Sequence, residues 1–364
     1  EQPGSGPGGP WSGKKKTQGV QEAVEETGQE EILKGRCDSF VVETEVHYPT
    51  DINLLWDAMR KLIIGCGRVS RRIGLGGWGQ YRYNLGQIKR LLRQVQKRKH
   101  STASNEQKQA SQAKKIRQAY RNYLDWASSL VSRAEATLKQ LTDEEKEPIA
   151  REEIASFVAH AHRQIDQIDR RGFQGEKIAH AEKVFSLFEP HTEWISKGKA
   201  GVPVELGLNV CIIEDQYRYI LHHRVMQGET DATVAVPMVE QTQARFPTLE
   251  QCSFDEGFYT PDNQRDLRAL LDVSVLPQKG RLSPEEEAFE SSQVFVAARR
   301  QHAAVESAIN ALEIHGLDRC PDQGIDGFPR YVALAVLARN IQRLGVRLKQ
   351  KKVSVAKRRR KKAA

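Results

Sequence analysis

At 364 residues, 39% hydrophobic and 28% charged, the chain has material for two domains or for one large domain carrying an insertion. Its net charge of +9 is concentrated: residues 349–364 hold nine Lys or Arg and no acid, which leaves the rest of the chain neutral. No run approaches eighteen uninterrupted apolar residues and the opening stretch has no apolar signal segment, so neither a membrane span nor a secretory signal is expected.

Residues 1–36 are Gly/Pro-rich, then Lys-rich, then acidic, and read as a disordered or linker-like segment. The lack of an initiator Met points to a fragment or a processed product. The first strand of a core is expected within 37–49, where Phe40, Val42, Thr44 and Val46 alternate with Val41, Glu43, Glu45 and His47 until Pro49 ends the pattern. Residues 50–183 are expected to be a helical insertion, because Leu54, Leu55, Ala58 and Leu62, then Leu85, Ile88, Leu91, Leu92 and Val95, recur at helical spacing. Within it, RIGLGGWGQ (72–80) lacks the GK[ST] of a phosphate loop and reads as a flexible turn. The polar run at 100–112 reads as a loop or as a helix exposed all round.

After 183 the period returns to two. Val204, Leu206, Leu208, Val210 and Ile212 alternate in one strand, Tyr219–Met226 form another, and the polar run between them makes a hairpin. Asp231–Arg245 is helix-like, with Pro237 expected to kink or split it. Gln251–Phe254 is a short strand, Thr260-Pro261 starts a helix, Val273–Leu276 is a strand, and Ser283-Pro284 starts a helix that runs through Glu306. Tyr331–Leu348 is a last amphipathic helix, and 349–364 a basic tail. With the insertion set aside, this element order predicts an α/β fold of RNase H-like type: a mixed five-stranded sheet with flanking helices, its remainder in 184–348. The five cysteines (Cys37, Cys66, Cys211, Cys252, Cys320) are odd in number, far apart and without a CxxC pair, which suits a reducing, cytoplasmic setting better than a disulfide framework or a zinc site.

A nuclease core of this type needs acids on three separate elements to bind two divalent metals with hard oxygen ligands. On the first strand the candidates are Asp38, Glu43 and Glu45. Asp38 shares a face with Phe40 and Val42, where a helix-borne partner can reach it, whereas Glu43 and Glu45 lie on the other face with His47. Asp255 leaves a strand into a Gly turn beside Glu256, where it either faces a cleft or caps the turn. On the late helix Val305, Ile309 and Leu312 make a buried stripe, and Arg299, His302, Glu306, Asn310 and Glu313 a polar one with Glu306 at its centre. That stripe is either a solvated face or a third ligand with Arg299, Arg300 and His302 approaching DNA phosphates. Lys89 to Arg121 holds eleven basic residues against one acid, and with the tail forms two basic regions suited to a polyanion. Lys97, Arg98, Lys99, Lys357, Arg358, Arg359 and Arg360 are the backbone-binding candidates; the plainer reading of the tail is a solvated, disordered one.

These residues resemble DDE transposases of bacterial insertion sequences, specifically the unclassified insertion-sequence family group. The likeness runs from about residue 36 to 348 and is carried by DSFVVETEVHYPTDINLLWDAMRK (38–61), EKVFSLFEPHTEWISKGKAG (182–201), VMQGETD (225–231), FDEGFY (254–259) and the stretch from His302 to Asn340. The resemblance implies Asp38, Asp255 and Glu306 as the catalytic, metal-binding triad, Mg²⁺ as cofactor with Mn²⁺ substituting, and DNA as partner. It implies at least a dimer on paired element ends. Seven before, four before and seven after the glutamate, where some related transposases carry Tyr, Arg and Lys, this chain has Arg299, His302 and Glu313. Such enzymes often open with a helical DNA-binding region, and only thirty-seven residues precede Asp38, so a missing N-terminal portion is expected. The rival expectations are an RNase H-like nuclease that cleaves without joining, and an inactive DNA-binding remnant.

Overall fold

The computed structural model describes residues 31–99, 106–143, 146–196 and 203–363; the side chains of 99, 106–107, 143 and 357–363 lie outside the described set. The chain divides into two compact units, one of residues 41–209 and 316–332, the other of the remainder. The fold is mixed α/β, with a seven-stranded mixed sheet and flanking helices.

The first unit is dominated by four helices, α1 (Asp51–Ile73), α2 (Tyr81–Lys99), α3 (Glu106–Asp143) and α4 (Pro148–Asp169). The apolar spacing of α1 buries Leu55, Ala58, Met59, Leu62 and Ile63 against Ile88, Leu92, Tyr123, Leu130 and Ile154 from the other three. Thr50 starts α1 by accepting from the Asn53 backbone N–H, and Gly74 ends it in the left-handed region (φ 77°), where glycine carries no Cβ penalty. The Gly-rich 72–80 segment is anchored, contrary to a freely flexible turn: Trp78 is buried and its indole N–H donates to Thr137 Oγ1 at 2.9 Å. A single aromatic ring with a buried partner is enough to pin a loop that glycines would otherwise leave free.

The strands are β1 (Leu33–Thr44), β2 (Glu193–Ser196), β3 (Val204–Glu214), β4 (Ile220–Met226), β5 (Leu249–Phe254), β6 (Val273–Val275) and β7 (Arg319–Cys320). The order is β2-β3-β1-β5-β6, with β4 added on β3 and β7 on β1. The sheet therefore exceeds the expected five strands, and the two extra ones, β2 and β7, are four and two residues long. β1 also begins earlier and ends sooner than the alternation indicates, because Leu33–Cys37 pair in parallel with β5 and the strand stops at Thr44. Phe40, Val41 and Val42 are all buried, so the middle of β1 is covered on both faces. Gly207 allows β3 to approach β1: a Cβ there would lie 2.0 Å from the Val42 carbonyl oxygen.

In the second unit, α5 (Asp231–Gln243), α6 (Pro261–Leu270), α7 (Pro284–Glu290), α8 (Gln293–His302), α9 (Ala304–Leu312) and α10 (Gly327–Ala363) complete the helices; α10 starts in the first unit. Met238, Val234 and Val239 of α5 pack with Phe254, Phe258, Leu267 and Cys37 into its core. Three expectations change here. Pro237 sits inside an unbroken α5, since it removes only its own N–H bond from a helix held on its buried side by packing. The helix expected from Ser283 through Glu306 is three helices, because Ser292 restarts the chain as an N-cap for Phe295 and Ala303 interrupts it again. The backbone of the basic tail continues as helix through Ala363. Among the described residues no helix is long and apolar enough to cross a membrane.

Candidate carboxylate site

The parallel pairing of β1 and β5 brings two of the predicted acids together. Cys37 is in register with Phe254, so Asp38 and Asp255 are the next residues on neighbouring strands. Asp255 keeps an extended backbone (φ −76°, ψ 161°) as β5 ends and a 3₁₀ turn begins at Glu256. Neighbouring strands lie about 4.8 Å apart and residues in parallel register point to the same face, so the two carboxyls share one side of the sheet. Asp38 Oδ1 accepts from the Ser39 backbone N–H at 2.7 Å.

Glu306 enters from α9. The interruption at Ala303 puts it in the first turn of a new helix, where a carboxylate is favoured by the helix dipole. Val305, Ala308, Ile309 and Leu312 bury the other side of α9, which leaves Glu306 on the exposed face. One turn earlier, His302 is half-buried, and its Nδ1 lies 3.1 Å from Ser253 Oγ on β5. That hydrogen bond ties the helix before Glu306 to the strand before Asp255. Burial pulls the His302 imidazole below its ordinary range, and the nearby charges of Asp255 and Glu306 oppose this.

Asp231 is a fourth acid that the sequence pattern did not single out. It opens α5 behind the Thr230 cap, a position where an acid normally answers only the helix dipole. In the fold its Oδ1 is buried without a hydrogen-bond partner, and a Cβ at Gly257 would lie 3.1 Å from its Oδ2. The clue in the sequence is that Asp231 closes the VMQGETD stretch that carries part of the family resemblance.

The electrostatics of the group are those of crowded like charges. Burial raises the Asp38 carboxyl from 3.8 to about 6; the Ser39 N–H opposes this, and the charges of Asp255, Asp231 and Glu306 push it further up. Hard oxygen donors of this kind suit a divalent cation such as Mg²⁺. Among the described residues no three His, Cys, Asp or Glu side chains are placed to hold one metal ion by themselves. Mg²⁺ commonly takes one or two carboxylates and completes its shell with water and substrate phosphate oxygens, and a pair such as Asp38 and Asp255 meets that need.

The remaining predicted residues are placed as follows. Arg299 and Arg300 are exposed in the last turn of α8, and neither makes an ion pair among the described residues. Lys97 is exposed and Arg98 partly so at the end of α2. The side chains of Lys99, Lys357, Arg358, Arg359 and Arg360 lie outside the described residues. Glu43 is taken up by Arg319 Nη2 at 2.8 Å, and His47, beyond the end of β1, by Asp57 at 2.5 Å. Comparison with protein-family models, curated proteins and solved structures finds no match.

Proposed function

We propose that the chain is a DDE-type DNA transposase of RNase H-like architecture, cutting DNA at insertion-sequence ends and joining the freed strand to a target. The observation that carries the reading is the register of β1 and β5, which sets Asp38 beside Asp255 at the end of β5, with Glu306 and Asp231 near enough for their charges to act on Asp38. A fold gains no stability from gathering anions; such a group is retained where it has a positively charged ligand to hold.

In this reading Asp38 and Asp255 would hold Mg²⁺ together with water and substrate oxygens, Glu306 would complete the set once DNA is bound, and Mn²⁺ would substitute. When bound there, a divalent ion would supply Lewis-acid activation of the attacking oxygen and charge stabilisation at the leaving oxygen. The protein's own work is positioning and electrostatics, without a covalent protein intermediate. Asp38 and Asp255 offer oxygen donors from a rigid pair of strands. His302, through Ser253, holds the helix that precedes Glu306 against β5. Arg299 and Arg300 present unpaired cations on the helix preceding Glu306, suited to DNA phosphates, as are Lys97 and Arg98 in the other unit. Pairing of two element ends makes a dimer the expected working state.

The test is cleavage of duplex DNA carrying the ends of the element that encodes the chain, in Mg²⁺, Mn²⁺ or EDTA, for wild type and Asp255→Ala. Metal-dependent nicking at the ends followed by joined products, by wild type alone, supports the transposase. Nicking without joining favours an RNase H-like nuclease, and salt-sensitive binding without cleavage in either metal favours an inactive DNA-binding remnant.

A further inference from the structure

The helical unit contains a cavity of about 550 Å³ that the carboxylate chemistry does not use. Its volume falls within the roughly 300–1,000 Å³ usual for ligand sites. Its lining combines aromatic rings with two cations and one carboxylate, Asp51. The Trp194 ring stands edge-on to Tyr48 at 5.7 Å and lies 5.6 Å from Phe185, whose other neighbour is His180 at 5.3 Å. Four rings therefore run in sequence along the opening, and Tyr48, at one end of the series, is 59% exposed instead of packed into the core. Arg171 lines the same cavity, anchored by Asp51 at 2.7 Å. Lys183 lines it too, half-buried and with no carboxylate partner among the described residues.

The two kinds of lining limit what fits. An apolar ligand would leave the Lys183 ammonium half-buried and unanswered, and a bare phosphate would leave the rings facing water. A planar aromatic carrying a phosphate answers both, because bases stack on aromatic faces whatever their sequence and phosphate oxygens pair with Lys and Arg. We infer that this cavity is a binding site for an unpaired nucleotide base together with its phosphate, stacked on Trp194 with Tyr48 against its edge and held by Lys183 and Arg171. A base inside a duplex cannot reach the rings, so the site discriminates unpaired from paired nucleotides. Every lining residue lies between Tyr48 and Trp194, and the inference stands independently of the carboxylates.

The experiment measures fluorescence anisotropy of the full chain with a labelled duplex carrying one unpaired adenine and with the same duplex fully paired. EDTA is present throughout, so that failure of cleavage has no bearing on the result. Stacking of one base corresponds to tighter binding of the unpaired duplex by about 5- to 150-fold. Trp194→Ala should remove that preference, Tyr48→Ala and Lys183→Ala should each reduce it, and Trp194→Phe should retain most of it. Because Tyr48 is largely exposed, Tyr48→Ala reads the site even if Trp194→Ala does not fold. Competition by deoxyadenosine monophosphate, lost in Tyr48→Ala, would assign the site to free nucleotides; a preference without such competition would assign it to bases within a strand. Equal affinity of wild type for both duplexes, or a preference that survives both Tyr48→Ala and Trp194→Ala, overturns the inference.

Discussion

The helical unit and the sheet unit treat charge in opposite ways. Around α4 the ions are matched: Arg170 reaches Asp166 at 3.1 Å, Glu176 at 2.5 Å and Glu182 at 2.7 Å, in solvent, while the interior is apolar side chains from four helices. At the edge of β1 and β5 the ions are unmatched, with Asp38, Asp231, Asp255 and Glu306 gathered and Asp38 largely withdrawn from water. Burial in the first case stabilises and in the second it costs. The contrast separates a part of the molecule whose ions are paired from a part whose carboxylates are not, and the proposed metal site rests on that second feature.

The sharpest way to test that separation is to remove one charge from the crowded group. Asp255→Ala or Glu306→Gln should lower metal-dependent strand cleavage by at least about a hundredfold to a thousandfold, the usual cost of losing one group that stabilises transition-state charge. Urea unfolding of the same variants should show no loss of stability; a parallel loss of fold and cleavage would make these acids structural. Leu62→Ala in α1, where the side chain is fully buried, should do the reverse. It is expected to cost about 2–5 kcal/mol in urea unfolding. Cleavage at temperatures where the protein stays folded should change little.

Asp38→Asn probes the cost directly. In the folded chain Asp38 ionises near 6 instead of 3.8, so the folded state retains a proton that the unfolded state has released, and stability falls as pH rises between those values. Above about pH 6 the loss is complete. The asparagine variant should therefore be more stable than wild type at pH 7, by up to about 3 kcal/mol, and no more stable at pH 3.5. Equal stabilities at both pH values would remove the strain from the account. Trp78→Phe should cost about 1 kcal/mol through the lost bond to Thr137. Smallest of all, Glu43→Ala breaks an exposed ion pair to Arg319 and should change stability by less than about 1 kcal/mol while leaving cleavage intact.

What could be read from sequence follows from which signals are local. The starts at Thr260-Pro261 and Ser283-Pro284 were legible because the capping hydroxyl and the proline act within one turn, and in the structure Thr260 accepts from Asn263 N–H and Ser283 from Glu286 N–H. The choice of Asp38 over Glu43 rested on strand alternation, which separates the two residues although it misplaced both ends of β1. Parallel pairing with β5 is a long-range fact, and Lys34 and Arg36 disguised that part of the strand as a polar segment. β2 and β7 are too short for any periodicity to show. The break at Ala303 before Glu306 was hidden because apolar spacing continues across it, whereas the earlier restart was hinted at by the Ser291-Ser292 pair. Asp231 was invisible for a related reason: an acid after a Thr cap looks fully explained by the helix it opens.

The measurement that bears most directly on the account is calorimetric titration of Mg²⁺ and Mn²⁺ into the full chain without DNA, repeated with Asp255→Ala and with Glu43→Ala. Wild type and Glu43→Ala should show saturable divalent-ion binding, with the binding heat lost in Asp255→Ala. Binding of equal strength in all three proteins, or in none at millimolar metal, would contradict the assignment of the Asp38–Asp255 edge as a metal site.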